Sequence, residues 1–237
     1  MNESGSAHYR NLTHRTELVF GETALTRLAD IRVIVIGVGG VGSWCAEALI
    51  RSGIRHLTIV DSDIVCATNC NRQIQATAQT IGQIKVDAMR ERLLAINPEA
   101  QITAINRPFT PESSASFDLD SYDYVIDAID SVRNKVHLIE CCLALGKKFI
   151  SSMGAGARSD PSRIRLSKLS DTHTCALARI VRQRLKKNHV RIDFLCVWSD
   201  EVPVKPQGQA MCAAGNCVCS CDRDAANSAD TKAVDWC

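Results

Sequence analysis

Short apolar runs alternate with longer amphipathic stretches through about residue 151 of this chain. The runs predict strands near 32–36, 56–60, 101–105, 123–127 and 148–151. The stretches between them predict helices near 41–52, 83–96 and 132–145. Asn97-Pro98 ends the second of these helices and Gly146 ends the third. Such alternation is typical of a mainly parallel α/β sheet with helices on both faces.

Beyond Gly154-Ala155-Gly156 the pattern changes to shorter and less regular elements. It predicts a strand near 164–166, a helix near 175–188 and a strand near 192–198. We find no internal repeat. The sequence therefore predicts one α/β domain with a smaller C-terminal extension.

The first strand leads directly into a glycine-rich turn, Gly37-Val38-Gly39-Gly40-Val41-Gly42. Glycines at such a turn let the backbone approach a phosphate, and the following helix supplies N–H donors and the positive end of its dipole. Asp61 ends the next strand, where a carboxylate can accept hydrogen bonds from ribose hydroxyls. Strand, glycines, helix and acidic residue in this order predict a Rossmann-like nucleotide-binding domain; the alternative is a tight turn that binds nothing.

Polar residues that hydride transfer does not require follow Asp61. Cleavage of ATP at the α-phosphate develops negative charge, which a guanidinium, an ammonium and an amide can stabilise. The candidates for these groups are Arg72, Lys85 and Asn71. Alternatively, the two cations are solvated surface charges.

The fourth predicted strand ends in a pair of carboxylates, Asp127 and Asp130. Ligands bind at this edge of such sheets, so Asp130 is a candidate magnesium ligand and Asp127 is expected beside the nucleotide. The alternative is that one of them caps the helix that begins near Ser131.

The ordered motifs resemble the ThiF and ubiquitin-activating superfamily, whose members adenylate a carboxylate with ATP. They are Gly-x-Gly-Gly-x-Gly, Asp-x-Asp, Asn-x-Asn-Arg-Gln, Gly-x-x-Lys and Asp-x-x-Asp. Within that superfamily the chain resembles the tRNA threonylcarbamoyladenosine dehydratases from about residue 10 to about residue 206. The stretches that carry this resemblance are 14–21, 40–44, 127–133 and 197–201.

The resemblance implies an ATP-dependent enzyme that adenylates the carboxylate of threonylcarbamoyladenosine in tRNA and cyclises it with loss of water. It places Gly37, Gly39, Gly40 and Gly42 against the phosphates, Asp61 on the ribose with Asp63 nearby, and Asp130 on Mg²⁺. Arg72 and Lys85 stabilise charge at the α-phosphate, while Asn71 and Gln73 orient the phosphates. Arg15 matches an arginine that reaches the nucleotide across a dimer interface, so a homodimer is expected. A mobile surface charge is the alternative for Arg15.

These expectations divide the chain into four segments. They are an N-terminal helical segment over 1–30, an ATP-binding domain over 31–153, a substrate-side extension over 154–206 and a cysteine-rich tail over 207–237. A monovalent cation and a sulfur-transfer protein are further candidates from the resemblance, and the residues indicate no site for either.

The overall composition, with 46% hydrophobic and 23% charged residues, is ordinary for a soluble globular protein. No apolar stretch approaches the roughly 20 residues needed to span a bilayer, and the N-terminus has no apolar signal core. We therefore expect a cytoplasmic protein without a membrane partner.

A net charge of +2 does not by itself indicate nucleic acid, but the predicted helix near 175–188 is basic. Arg179, Arg182 and Lys186 share a face of it, which indicates either a surface for the tRNA backbone or a solvated helix face.

Five of the 12 cysteines lie in the final segment. Cys212, Cys217, Cys219 and Cys221 are candidate zinc ligands, but they lack paired Cys-x-x-Cys motifs, so zinc is not expected. Cys212 and Cys217 are also candidates for a reactive thiol, and a flexible polar tail is the remaining interpretation.

Two other functions remain open. The family pattern continues past the point where this chain stops, at Cys237, so a shortened and inactive nucleotide-binding relative is one alternative. The other is an activating enzyme for a ubiquitin-like or sulfur-carrier protein, which shares the ATP-site residues but usually carries zinc or a transfer cysteine.

Overall fold

The computed structural model describes residues 7–205. Two helices come first, α1 (Ala7–Phe20) and α2 (Glu22–Asp30). The chain continues through β1 (Arg32–Ile36), α3 (Gly42–Ser52), β2 (His56–Asp61), α4 (Lys85–Ile96) and β3 (Gln101–Asn106). It goes on through β4 (Tyr124–Asp127), α5 (Val132–Ala144), β5 (Lys148–Ser152), β6 (Ile164–Lys168), α6 (Ala176–Lys187) and β7 (Leu195–Ser199).

The strands form one seven-stranded sheet in the order β3-β2-β1-β4-β5-β7-β6. All neighbouring pairs are parallel except β6 and β7, which are antiparallel. The strand order reverses between β1 and β4, because β2 lies on one side of β1 and β4 on the other. In doubly wound sheets of this kind, ligands bind at the carboxyl edge of such a switch point.

Helices cover both faces of the sheet. On one face, α3 and α4 pack on alternate residues of β1 and β2, including Val33, Val35 and Ile59. On the other face, α5 and α6 pack on the remaining residues, including Ile34 and Cys196. These two apolar cores fix the sheet edge from which the loops of the site emerge.

On the α3 side, half of the sheet carries no helix among the described residues. The strand registers place Tyr124, Leu166 and Leu195 on this open face, and all three are exposed. Ile164 lies beside them and is also exposed. The strands β4, β5, β7 and β6 therefore present a sheet face that is uncovered except where Ile126 of β4 packs against the core of α3 and α4. Exposed apolar surface of this kind is typical of an interaction site.

The predicted fold class is confirmed: the protein is a Rossmann-like α/β structure with a mainly parallel sheet. Three predicted boundaries were wrong. The strand predicted over 164–166 continues to Lys168, because all five of its residues pair with β7. The last strand begins at Leu195 rather than 192, because Ile192 and Phe194 pair instead with the loop at Leu169–Ser170. The helix predicted over 83–96 begins at Lys85, because Ile84 is extended and bridges to Ile64.

The proposed segment boundaries remain predictions. The sheet is continuous across residue 153, since β7 pairs directly with β5, while the cysteine-rich tail lies outside the described residues. Within residues 7–205, no helix is both long and apolar enough to cross a membrane.

Candidate nucleotide-binding and active site

Three loops and the first turn of α4 meet at the carboxyl edge of the sheet between β1 and β4. One is the glycine loop that joins β1 to α3, and the second runs from the end of β2 to the start of α4. The third joins β4 to α5. This convergence brings together the candidates on the glycine loop with Asp61, Arg72, Lys85 and Asp130.

Two glycines of the loop are required by the fold itself. Gly37 has a φ of +91°, and a Cβ there would lie 2.7 Å from the carbonyl oxygen of Ala128. A Cβ on Gly42 would lie only 1.8 Å from the carbonyl oxygen of Gly37. These positions exclude any side chain because backbone atoms occupy the space.

At the other two glycines an added Cβ would make only ordinary contacts with side chains. A Cβ on Gly39 would meet only the Gln73 Nε2 atom, at 3.9 Å, and one on Gly40 would meet the flexible side chain of Arg72 at 3.4 Å. Among residues 7–205, no acceptor is hydrogen-bonded to the backbone N–H groups of Gly39, Gly40 and Val41. The loop therefore offers unpaired donors at the start of α3, as an anion site requires.

Asp61 fastens the glycine loop to the next strand. Its Oδ2 accepts a hydrogen bond from the Val38 N–H at 2.8 Å, and its Oδ1 accepts one from the Asp63 N–H at 3.0 Å. Burial raises the pKa of Asp61, and the nearby Lys85 charge acts against that rise. A carboxylate has about four acceptor positions, so two remain for ribose hydroxyls.

Lys85 is buried at the first turn of α4. Its Nζ lies 2.7 Å from Asp63 Oδ2 and 3.6 Å from Asp61 Oδ1. An ammonium has three donors, and the pairing with Asp63 uses one of them. Lys85 is therefore a fixed positive charge at the site rather than the solvated surface charge of the alternative interpretation.

Arg72 lies against the glycine loop at Gly40. Its carbonyl accepts a hydrogen bond from the Trp44 indole at 2.9 Å, and its guanidinium donates to the Thr68 carbonyl at 2.7 Å. A longer contact of 3.3 Å joins the guanidinium to Asn71 Oδ1. The guanidinium is exposed and oriented, which suits a group that binds a phosphate.

Gln73 and Gln75 form a buried amide pair beneath the loop. The Nε2 of Gln75 donates to the Val38 carbonyl at 2.9 Å and to Gln73 Oε1 at 3.3 Å. Because Oε1 of Gln73 faces Gln75, its Nε2 faces the space beside Gly39.

Asp127 lies beneath the loop rather than on its surface. The side chain is fully buried, and its Oδ2 binds Lys135 Nζ at 2.8 Å and the Ser151 hydroxyl at 2.5 Å. Its Oδ1 accepts the Ile129 N–H at 3.1 Å. Both oxygens are thus engaged within the protein. Asp127 was predicted to lie beside the nucleotide, but its side chain lies in the protein interior. Asp130, which follows Ile129 in the chain, is exposed at the edge of the site.

Neither carboxylate caps α5, whose N-cap residue is Ser131 without a side-chain capping bond.

Arg15 is exposed on α1, and no hydrogen bond or ion pair within the described chain joins it to the other candidates. Arg182 turns inward, and its Nη1 binds the carbonyl and hydroxyl of Thr172, whereas Arg179 and Lys186 are exposed. Cys212, Cys217, Cys219 and Cys221 lie outside the described residues.

Sequence reasoning missed Gln75, Lys135 and the contact of Trp44 with Arg72. A signal existed for Lys135: it lies on the same helical face as Leu138, Ile139 and Cys142, a stripe that is otherwise apolar. A lysine on a buried stripe indicates a buried acidic partner. No comparable signal marks Gln75, because only the folded loop brings it to Val38.

The donor set fits a nucleotide with Mg²⁺. The Nε2 of Gln73 faces Gly39, and the N–H groups of Gly39, Gly40 and Val41 have no acceptor among residues 7–205. The described part of the chain contains no group of three side chains that could hold a metal alone. Mg²⁺ in nucleotide sites usually takes one or two carboxylates together with phosphate oxygens, and Asp130 offers such a ligand.

Comparison with known proteins is consistent with this geometry. The ThiF family model matches residues 12–199. The chain is 43% identical over 190 residues to a tRNA threonylcarbamoyladenosine dehydratase of Bacillus subtilis, covering 80% of this chain and 75% of that protein. It is 42% identical over 208 residues to the Escherichia coli protein of the same name, covering 84% and 77%.

Solved structures give the same result. The fold is similar to E. coli tRNA N6-threonylcarbamoyladenosine dehydratase in complex with ATP, with a TM-score of 0.82 and 40% identity over 85% of this chain and 86% of that one. The AMP complex of the E. coli enzyme gives a TM-score of 0.83 at the same identity, covering 86% of each chain.

Proposed function

The chain belongs to the ThiF family, and we propose that it is an ATP-dependent tRNA threonylcarbamoyladenosine dehydratase. It adenylates the free carboxylate of the modified adenosine and closes a ring with loss of water. The observation that carries the proposal is the meeting of the glycine loop, Arg72 and Lys85 at one sheet edge. This edge lies within a chain that aligns with such a dehydratase over 80% of its length.

The glycine loop and Asp61 hold ATP in this proposal. The N–H groups at the start of α3 have no acceptor among residues 7–205, so they are available to donate to the phosphates. Gln73 Nε2 donates from the opposite side of the gap at Gly39. Asp61 accepts the ribose hydroxyls with the lone pairs that Val38 and Asp63 leave unused.

Arg72 and Lys85 supply the charge stabilisation. Attack of the substrate carboxylate on the α-phosphorus forms an acyl-phosphate bond and breaks the bond to pyrophosphate, so negative charge grows on oxygens at both positions. A guanidinium and an ammonium that are already oriented stabilise this charge without reorganising. Asn71 orients the guanidinium, whose Nη1 lies 3.3 Å from its Oδ1.

Ring closure needs positioning more than a strong nucleophile. The acyl adenylate is a good electrophile, and the carbamoyl group of the same substituent is tethered beside it. Attack of that group on the acyl carbon releases AMP and leaves a five-membered ring. Loss of one proton from the attacking group balances the step.

Asp130 is the residue that would hold Mg²⁺. The ion, when bound, neutralises phosphate charge and favours departure of pyrophosphate. Asp130 suits this role because it is exposed and has no ion pair in the described chain.

A homodimer is the proposed assembly. The uncovered sheet face of β4, β5, β7 and β6 supports it, since Leu166 and Leu195 there are exposed apolar residues. Leu18, Val19 and Phe20 at the end of α1 are exposed as well. The family resemblance implies that Arg15, which is exposed on α1, reaches the nucleotide across this interface.

The tRNA would contact the exposed cations of α6, such as Arg179 and Lys186. A tRNA substrate also supports the expected cytoplasmic location. A monovalent cation and a sulfur-transfer protein remain expectations from the family resemblance.

The test incubates the purified chain with ATP, Mg²⁺ and tRNA that carries threonylcarbamoyladenosine, then measures the mass of the digested nucleoside. We expect loss of one water with formation of AMP, and a parallel reaction with Arg72→Ala that is about 10²- to 10³-fold slower. Arg27→Ala, which removes an exposed arginine from α2, is the matched control and should retain activity. ATP binding without any mass change would overturn the proposal and favour an activator of a carrier protein or an inactive relative.

A further inference from the structure

We propose that Gln75 is a positioning residue that aims two phosphate-binding donors, the Gly39 N–H and the Gln73 side-chain amide. The inference rests on the proposed use of ATP at the glycine loop. Gln75 is 2% exposed and lies between that loop and Gln73. It touches neither the Asp61 nor the Lys85 side chain by any hydrogen bond in the described chain.

The orientation of the Gln75 amide follows from its partners. The atom 2.9 Å from the Val38 carbonyl oxygen must be a donor, because a carbonyl oxygen can only accept. That atom is therefore Nε2. The same Nε2 lies 3.3 Å from Gln73, so the atom it meets there must be the acceptor Oε1. Gln75 thus fixes the orientation of Gln73, and the Nε2 of Gln73 faces Gly39.

The same bond fixes the first donor through the peptide plane. The Val38 carbonyl and the Gly39 N–H belong to one planar peptide, and no cis bond occurs among the described residues. In a trans peptide these two groups point in opposite directions. Because Gln75 holds the carbonyl toward the protein interior, the Gly39 N–H points away from it, toward the open side of the loop.

Val38 is held on its other side as well, because its own N–H donates to Asp61 at 2.8 Å. Both peptide groups that flank Val38 are therefore restrained before any ligand binds. The arrangement leaves the Oε1 of Gln75 buried without a partner in the described chain. A buried acceptor without a partner is destabilising, so the two hydrogen bonds that Gln75 donates must offset this penalty.

The test compares ATP binding by wild type, Gln75→Met and Gln75→Glu in isothermal titration calorimetry with Mg²⁺ and without tRNA. Methionine keeps the approximate volume and removes both donors. We expect its dissociation constant for ATP to rise about 10- to 100-fold, as for loss of one or two oriented hydrogen bonds. Gln79→Glu, the same change at an exposed glutamine four residues away, is the control for Gln75→Glu and should bind like wild type.

The Gln75→Glu variant separates positioning from general disruption. In its ionised form the introduced carboxylate places an acceptor against the Val38 carbonyl and turns the peptide away. Burial raises the pKa of such a carboxyl group, and in its protonated form the O–H can again donate to Val38. The ratio of the variant and wild-type dissociation constants should therefore fall toward one as the pH falls from about 8 to about 5.5. Asp61, Lys85 and Arg72 are present in both chains, so their own contacts with ATP contribute to both dissociation constants.

The outcomes are distinct. A folded Gln75→Met chain that binds ATP like wild type, or a Gln75→Glu ratio that does not change with pH, would overturn the role of Gln75. Neither result depends on tRNA turnover, so wild type that binds ATP but leaves the tRNA unchanged would refute only the proposed function. Wild type that binds no ATP would refute both.

Discussion

The four glycines of the loop separate into two that the fold requires and two that a ligand would require, and alanine substitution should distinguish them. An added Cβ on Gly42 would lie 1.8 Å from the Gly37 carbonyl oxygen, and contacts under 3.0 Å are essentially never made by real Cβ atoms. The backbone of the loop would therefore have to move apart. Overpacking of this kind costs about 1–3 kcal/mol or more.

Gly42→Ala should therefore lower the melting temperature by about 2 to 12 °C, since 1 kcal/mol corresponds to about 2–4 °C in a chain of this size. Gly39→Ala should behave in the opposite way. Its Cβ would meet only Gln73 Nε2, at 3.9 Å, and its φ is outside the left-handed region. Its melting temperature should stay equal to wild type or rise slightly, because alanine restricts the unfolded chain by about 0.4–1 kcal/mol.

Gly39→Ala should weaken ATP binding without lowering the melting temperature, whereas Gly42→Ala should lower the melting temperature. The methyl group of Gly39→Ala would enter the gap between the loop and Gln73, where the proposal places a phosphate, so its dissociation constant should rise at least about tenfold. Differential scanning calorimetry and isothermal titration calorimetry on the same preparations measure both quantities. If Gly39→Ala binds ATP as tightly as wild type, the gap does not hold a phosphate. A Gly42→Ala chain as stable as wild type would contradict the steric argument.

Charged groups give three further expected outcomes. Arg72→Ala and Lys85→Ala should each reduce ATP-dependent turnover about 10²- to 10³-fold while circular dichroism stays unchanged, and full turnover in either would disprove its charge-stabilising role. Lys135→Met should lower the free energy of unfolding in urea by about 3–5 kcal/mol, because it leaves the buried Asp127 carboxylate unpaired. Adding Asp127→Asn should recover much of that loss, and no recovery would argue against the ion pair as its cause. Burial would raise the pKa of Glu47, but hydrogen bonds from Arg92 and Arg51 hold the pKa below its ordinary value of 4.5. The ionised Glu47 therefore stabilises the fold above pH 4.5, and this contribution is lost as the pH falls through the lowered pKa. Glu47→Gln should therefore be less stable than wild type at pH 7, and the difference should shrink at acid pH; a constant difference would exclude this ionisation as the cause.

Much of the fold was predictable because its signals are local. The β-branched run Val33–Ile36 is buried on both faces of the sheet, as expected for a central parallel strand. The glycines, Asp61 and Lys85 were predictable because each lies at the end or the start of such an element. Arg72 lies within the long loop between β2 and α4 and was predicted from the polar motif there. The order of the last strands was not, since β7 enters between β5 and β6 and no local pattern encodes that insertion.

The parts of the site that sequence reasoning missed depend on tertiary contacts. Asp127 was expected at the ligand surface because it ends a strand, yet Lys135 arrives from the next helix and holds it inside. Gln75 lies 37 residues from its partner Val38, so nothing in its own neighbourhood distinguishes it from a surface glutamine. Spacing along the chain identifies which loops converge but not which side chains turn inward.

The switch point between β1 and β4 also determines when the site can form during folding. Arg32 at the start of β1 donates its N–H to Asp123 beside β4, a bond that joins positions 91 residues apart. Pairings between distant segments must close long loops before they gain contacts, so they are among the slow steps of folding. The ATP-binding crevice lies at the carboxyl edge between β1 and β4 and is therefore complete only after these two strands pair. Nucleotide binding consequently reports the finished central sheet, and partly folded chains would lack it even when their individual helices are present.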